Sequence, residues 1–148
     1  MTPAQALLID DVRARCGSKA VVTDPVDISP WETDWRGKFH GKTPAILAPA
    51  NREEAQTIVA LALAAGVALV PQGGNTSMVG GATPPADGSA LLLATRRMNR
   101  IRHIDAEAGL SVAEAGVILD DLHHAVVVAG RRFPLDLGAP AGGTVGGT

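Results

Sequence analysis

The chain has 148 residues, one cysteine and a formal net charge of −2. Hydrophobic residues make up 46% of it and charged residues 19%, which is the composition of one globular domain rather than of a disordered chain. The lack of a basic surplus argues against nucleic acid as a partner, and the lone cysteine excludes an internal disulfide framework. The sequence shows neither a transmembrane-length apolar run nor a secretory signal, so we expect a cytoplasmic protein.

The N-terminal part predicts one helix followed by irregular chain. Thr2 and Gln5 form a capping box at the start of this helix, and Gly17 ends it. A short apolar run follows at residues 20–23. Residues 24–42 form a polar stretch that holds both tryptophans.

A β-α-β unit comes next. Residues 45–48 predict a short strand, and Asn51 caps a helix whose apolar residues recur on one face until Gly66 ends it. Residues 67–70 predict a buried strand that Pro71 ends. The short connection favours two parallel strands joined by a right-handed crossover.

A long glycine- and proline-rich loop over residues 71–89 separates this unit from the rest of the chain. Three short strands are predicted after it, at residues 90–94, 101–105 and 110–115. Apolar periodicity then predicts a helix over residues 117–129. The last eleven residues, 138–148, include five glycines and no charge.

Two segments of the sequence resemble nucleotide-binding motifs but do not match them. Gly41-Lys42-Thr43 resembles the end of a phosphate-binding loop, but the earlier glycine and the leading strand are missing, and a proline follows where a helix should start. Residues 142–147 have Thr144 where a Rossmann fingerprint needs glycine. His123 and His124 do not share a helix face and have no further ligand at metal spacing, so we predict them to be solvated.

The informative segment is Pro71–Gly81, which follows a predicted strand and carries two glycine pairs without any charged residue. Glycine pairs let consecutive backbone N–H groups turn toward one point and form an anion nest. Asn75, Thr76 and Ser77 add short polar side chains beside it. Ligands of α/β folds bind at the carboxyl ends of such strands. A flexible surface loop has the same composition, so the residues alone leave both interpretations open.

Eight short motifs occur in the order typical of one family. They are Asp34-Trp35-Arg36-Gly37, Ala48–Glu54, Val70–Ser77, Val79-Gly80-Gly81, Arg97–Ile101, Glu114-Ala115-Gly116, Phe133–Leu137 and Gly143–Gly147. Through them, residues 24–148 resemble the N-terminal part of the FAD-binding domain of FAD-linked oxidases of the vanillyl-alcohol oxidase type. The branch that they resemble most is the D-2-hydroxyacid dehydrogenases, which act on D-lactate, glycolate or D-2-hydroxyglutarate.

The resemblance implies an α+β fold in which FAD lies between two α/β subdomains. Residues 1–23 would form a helix and a lead-in, residues 24–89 the first subdomain with the pyrophosphate loop, and residues 90–148 the start of a second, incomplete subdomain. The residues that the resemblance assigns to FAD are Pro71, Gln72, Gly73, Gly74, Asn75, Thr76, Ser77, Gly80, Gly81, Pro134, Leu135, Gly138, Gly143, Thr144, Gly146 and Gly147. We expect Gly73 and Gly74 to be needed for positive φ and for close approach.

The resemblance also implies what the FAD does and how it is held. Family members with a covalent flavin often carry histidine in the first glycine loop; Asn75 and Thr76 stand there, so we expect non-covalent FAD. In complete family members, flavin N5 accepts a hydride from a small 2-hydroxy acid.

The family's substrate domain has no counterpart in the chain. We therefore assign no catalytic residue and no metal ligand, and we expect the chain alone to be inactive and to hold FAD weakly or not at all. The alternative is a stand-alone nucleotide-binding module without catalysis. An incomplete second subdomain is expected to expose an apolar sheet and to favour self-association.

Overall fold

The computed structural model describes residues 1–139 and 141–148, in which helices are mixed with a four-stranded and a two-stranded sheet. The helices are α1 (Pro3–Cys16), α2 (Pro25–Ile28), α3 (Arg52–Ala65) and α4 (Leu119–Val128). The strands are β1 (Val21–Val22), β2 (Ile46–Leu47), β3 (Ala68–Gln72), β4 (Ala90–Ala94), β5 (Ile101–Asp105) and β6 (Leu110–Ala113). Short 3₁₀ turns lie at Ser18–Ala20, Ser29–Trp31 and Val145–Gly147. Within the described residues, no helix is long and apolar enough to cross a bilayer.

The two long N-terminal helices begin and end where the sequence predicts. The Thr2 hydroxyl accepts from the Gln5 N–H at 3.2 Å, and the Gln5 side chain accepts from the Thr2 N–H at 2.7 Å. At α3, the Asn51 side chain accepts from the Glu54 N–H at 2.8 Å. Gly66 ends α3 in the left-handed conformation, with φ +64°. Both predicted capping arrangements are confirmed.

The four-stranded sheet has the order β1-β2-β4-β3. β4 pairs in parallel with β2 on one side and with β3 on the other, whereas β1 is antiparallel to β2. The predicted parallel β-α-β unit is therefore present, with β4 inserted between its two strands. Helices α1 and α3 cover one face of the sheet, through an apolar cluster that includes Leu8, Val12, Leu47, Ile58, Ala62 and Leu91. Ile28 and Trp31 pack against Ile46 and Leu92 on the other face.

The predicted roles of β3 and β4 are corrected by this sheet. Residues 90–94 were predicted to open the second subdomain, but β4 is a central strand of the first sheet. Ala90, Leu91 and Leu92 are completely buried, which suits a continuous apolar run covered on both faces. The predicted buried strand β3 is instead a partly exposed edge strand, and it continues through Pro71. Proline is tolerated there because an edge strand has no partner on its outer side.

The remaining elements form a smaller unit. β5 and β6 pair in antiparallel fashion, and Leu122 and Val126 of α4, together with Val117 just before it, pack against apolar residues of the hairpin. The predicted strands and helix are confirmed, each within two residues of its predicted end. The Gly116 N–H donates to the Met98 carbonyl at 2.8 Å, which joins the end of β6 to the segment that leaves β4.

The two minor motifs have structural roles. The Thr43 hydroxyl is buried, and its oxygen lies 2.9 Å from the Ala45 carbonyl oxygen and 3.0 Å from that of Ala90. Thr43 therefore joins the segment before β2 to the start of β4, which is a structural role. His124 is exposed, as predicted. His123 is only half exposed, because its Nε2 donates to the Leu135 carbonyl at 2.9 Å and its ring packs near Phe133.

Candidate functional site

A cleft of about 1030 Å³ opens at the carboxyl ends of β3 and β4. The carboxyl ends of parallel strands are where α/β folds bind their ligands. Thirteen of the sixteen residues predicted to bind FAD line this cleft together: Pro71, Gln72, Gly73, Gly74, Asn75, Thr76, Ser77, Gly81, Gly138, Gly143, Thr144, Gly146 and Gly147. The structure therefore brings together the glycine loop, residues 71–81, and the C-terminal glycine segment, described at residues 138–139 and 141–148.

Gly73 and Gly74 are required by close approach rather than by backbone conformation. A Cβ on Gly74 would lie 1.6 Å from the Gly142 carbonyl oxygen, and one on Gly73 would lie 2.1 Å from the Thr144 hydroxyl. Neither glycine has positive φ, so that part of the expectation is wrong. The left-handed residue of the loop is Asn75, with φ 56°. Asparagine adopts this conformation more readily than most side chains do.

The loop presents a run of unused backbone donors. Within residues 1–139 and 141–148, the N–H groups of Gly73, Gly74, Asn75, Thr76 and Ser77 donate no hydrogen bond to the protein. All five residues are only partly exposed. Consecutive N–H groups around a left-handed residue make a concavity that binds anions, and backbone donors normally have partners.

Three side chains hold the loop in place through four hydrogen bonds. The buried Gln72 amide donates to the Trp31 carbonyl at 3.0 Å and to the Ala82 carbonyl at 2.9 Å. The Asn75 amide donates to the Thr33 carbonyl at 2.8 Å. The Arg36 guanidinium donates to the Met78 carbonyl. Because these contacts join residues about forty positions apart in sequence, the loop is fixed by tertiary structure.

Asp34 stabilises the turn from which Arg36 projects. Its carboxylate accepts from the N–H groups of Phe39 at 2.7 Å and Lys38 at 2.6 Å. The Phe39 N–H, together with those of Lys38 and Arg36, holds the pKa of Asp34 below its ordinary value. The carboxylate is therefore ionised at neutral pH, and it lies 3.6 Å from the Arg36 Nε.

The C-terminal glycine segment forms the opposite wall. Its backbone is tied to the segment before α4, because the Val145 N–H donates to the Val117 carbonyl at 2.8 Å and the Gly146 N–H to the Ala115 carbonyl at 2.9 Å. Thr144 is 2% exposed, and its hydroxyl has no hydrogen-bond partner among the described residues. An unpaired buried hydroxyl costs about 1–3 kcal/mol, so a ligand that reached it would be stabilised.

Three predicted residues lie outside the cleft lining. Gly80 has φ +74° and packs against the Phe39 ring, where a Cβ would lie 2.8 Å from the ring. Leu135 accepts from His123 through its carbonyl. Pro134 is not among the lining residues either. Sequence reasoning missed seven lining residues: Trp35, Met78, Ala82, Thr95, Leu137, Ala139 and Thr148. Trp35 and Leu137 lie in the family motifs Asp34-Trp35-Arg36-Gly37 and Phe133–Leu137, which were a signal for both.

The described cleft is suited to holding a ligand rather than to proton transfer. Among the described lining residues, none has a titratable side chain. The described residues also contain no group of three or more His, Cys, Asp or Glu side chains placed to hold a metal ion. Neutral backbone donors, hydroxyls and two loops in close contact fit the diphosphate of a dinucleotide.

Comparisons with known proteins agree with this geometry. The family described as "FAD binding domain" matches residues 43–148. D-2-hydroxyglutarate dehydrogenase, mitochondrial, from Arabidopsis thaliana is 37% identical over 131 residues, covering 88% of this chain and 23% of the relative. The Bos taurus protein of the same name is 35% identical over 147 residues, covering 98% and 27%. The chain thus spans about a quarter of the length of these relatives. The names of both relatives include the word mitochondrial. The cytoplasmic location of this chain stays a prediction.

Solved structures show the same fold at low sequence identity. Alkyldihydroxyacetonephosphate synthase superposes with a TM-score of 0.85 at 20% identity, covering 96% of this chain and 28% of that one. A substrate-bound p-cresol methylhydroxylase superposes with a TM-score of 0.79 at 18% identity, with the same coverage. The predicted fold class and family resemblance are confirmed: the chain belongs to the FAD binding domain family.

Proposed function

We propose that this chain holds FAD, non-covalently, in a dehydrogenase that oxidises a D-2-hydroxy acid to the 2-oxo acid. When bound, the flavin supplies the hydride acceptor for this oxidation. The observation that carries the proposal is the run of five backbone N–H groups at Gly73–Ser77 that have no partner among the described residues and line one cleft with the C-terminal glycine segment. The D-2-hydroxyglutarate dehydrogenase relatives support the substrate class.

The chain's own residues bind and orient the diphosphate. Backbone N–H groups of Gly73–Ser77 donate to its oxygens, and the buried Thr144 hydroxyl donates from the facing segment. These donors are neutral, so the anion is stabilised by preorganised dipoles rather than by lysine or arginine. Gly73 and Gly74 matter because a Cβ at either position would overlap Thr144 or Gly142 and push the two segments apart.

Substrate handling belongs to residues outside this chain. The cleft lining has no titratable side chain among the described residues, so it supplies neither a base for the hydroxyl proton nor a cation for the carboxylate. The sequence predicts weak or no FAD binding by the chain alone, but the preformed cleft favours binding. We therefore expect the 148-residue chain to bind FAD without D-lactate-dependent dye reduction.

The proposal is tested by FAD titration of the chain and two glycine variants, followed by calorimetry. Gly74→Ala places a Cβ against the Gly142 carbonyl and should weaken FAD binding at least about tenfold, which is about 1.4 kcal/mol. Gly109→Ala is the control, because Gly109 lies in the turn between β5 and β6, outside the cleft lining, and a Cβ there meets nothing within 4 Å; it should leave affinity unchanged. Equal affinities in a folded Gly74→Ala variant would remove the loop from the site.

Non-covalent attachment is tested separately. None of the described residues that line the cleft is His, Cys or Tyr, which are side chains able to form a covalent link to flavin. Acid precipitation of the FAD-loaded chain should leave all yellow colour in the supernatant. Colour retained in the washed pellet would contradict this prediction.

A further inference from the structure

Trp35 is an exposed aromatic side chain at the candidate site. It is 61% exposed and lines the cleft beside the glycine loop. The chain has only two Trp, two Phe and no Tyr, so few aromatic rings are available for its core. Trp31, in contrast, contributes to the core: it packs against the sheet, and the Arg96 guanidinium lies 3.1 Å above its ring centroid. A tryptophan ring combines a large apolar face with one N–H donor, so an exposed ring that lines a cleft is available to contact a ligand there.

The indole is carried by a tightly bonded turn. The Asp34 carboxylate accepts from the N–H groups of Lys38 and Phe39, and the Asp34 carbonyl accepts from the Gly37 N–H at 2.8 Å. Gly37 has φ +65°, which glycine adopts without strain. Arg36 then joins the turn to the Met78 carbonyl at the end of the glycine loop. Trp35 is therefore placed by the same contacts that place the loop.

The rest of the cleft leaves room for a flat group. Gly74 and Gly138 have no side chain, and Leu137 and Ala139 add an apolar surface to the lining. Planar heteroaromatic rings bind to aromatic side chains by stacking, and the interaction tolerates different rings because each has a π face.

We propose that the Trp35 indole stacks on a planar heteroaromatic ring of the bound dinucleotide and so determines which ring systems the site accepts. This inference rests on the proposed FAD function. FAD carries two such rings, the isoalloxazine and the adenine, one on either side of the diphosphate. The shared chemistry is stacking, and the two sources are separated by experiment.

The test uses the full chain labelled with 5-fluorotryptophan. Its two tryptophans give two fluorine resonances, and Trp35→Phe assigns them by removing one. On titration with FAD, the Trp35 resonance should shift more than the Trp31 resonance, which serves as an internal reference because Trp31 does not line the cleft. FMN shifting Trp35 without an effect of ADP identifies the isoalloxazine as the stacked ring. The reverse pattern identifies the adenine.

Affinity gives the second readout. Trp35→Ala should weaken FAD binding by about fivefold to a hundredfold, the range of base–aromatic stacking, and Trp35→Phe should recover part of it. Both variants should keep the melting temperature, since the side chain is largely exposed. If FAD binds but the Trp35 resonance does not shift, the stacking assignment is wrong. It is also wrong if Trp35→Ala binds FAD as tightly as the wild type; neither result contradicts the proposed function. A chain and variants that bind no FAD would overturn the proposed function as well.

Discussion

Several buried polar side chains form hydrogen bonds between segments that are far apart in the sequence. The Gln72 amide joins two carbonyls from different segments, and Thr43 joins the carbonyls of Ala45 and Ala90. Glu114 is 4% exposed and accepts from the Arg100 N–H at 3.0 Å and from the Arg102 guanidinium at 2.9 Å. Each of these groups would be costly to bury alone, so its partners specify which segments meet.

Glu114 should make stability depend on pH in the acid range. The Arg100 N–H, followed by the Arg102 side chain, lowers the pKa of Glu114 from 4.5 to about 2. A lowered carboxyl pKa adds stability that is complete above the unfolded value and is lost as pH falls through the folded one. We therefore expect the urea midpoint to fall between pH 4.5 and about 2.

The matched variant for this prediction is Glu114→Gln. It keeps the shape of the side chain but cannot ionise, so its midpoint should be lower at neutral pH and flatter across the same acid range. If the urea midpoints of wild type and variant fell in parallel across that range, the pKa of Glu114 would be the same in the folded and the unfolded chain.

Helix α3 shows how an element is specified locally. Asn51 and Glu54 exchange hydrogen bonds at its start, with the Glu54 carboxylate accepting from the Ala50 N–H at 2.7 Å. Gly66 ends it in the left-handed conformation. Such contacts lie within four residues of each other and do not depend on the rest of the fold. The residues at its two ends therefore determine where the helix between β2 and β3 begins and ends.

Removing the Asn51 cap should lower stability without changing the fold. Asn51→Ala leaves the Glu54 N–H without its acceptor, and such losses cost about 0.5–2 kcal/mol. Asn51→Ser keeps a capping oxygen and should recover most of this. Urea denaturation followed by circular dichroism measures both. If the alanine and serine variants unfold at the same urea concentration, the side-chain cap is not a source of stability.

At the scale of the whole molecule, two packed units enclose the cleft and one of them exposes apolar surface. On β6, Leu110 is 54% exposed and Val112 is 43% exposed, on one face of the hairpin. Exposed apolar strand surface is a common site of association between chains. Self-association through this hairpin stays a prediction.

Val112→Lys should shift the chain toward monomer in sedimentation velocity runs, because a charge on the exposed hairpin face opposes pairing. Leu63→Lys is the matched control, since Leu63 is 82% exposed on α3 and lies outside the hairpin. Equal sedimentation of wild type and both variants, over the same concentration series, would argue against association through β6.

Local signals in the sequence determined the ends of α1 and α3, the strands β5 and β6, and the position of α4. They also determined most of the cleft lining, because the glycine loop and the family motifs are contiguous runs. Only the tertiary structure decided that β4 lies between β2 and β3, and that Gly74 touches Gly142. Strand order and loop-to-loop contact depend on residues far apart in sequence, which no local pattern relates. For the same reason Thr95, which lies in none of the family motifs, joins the site only through the folded chain.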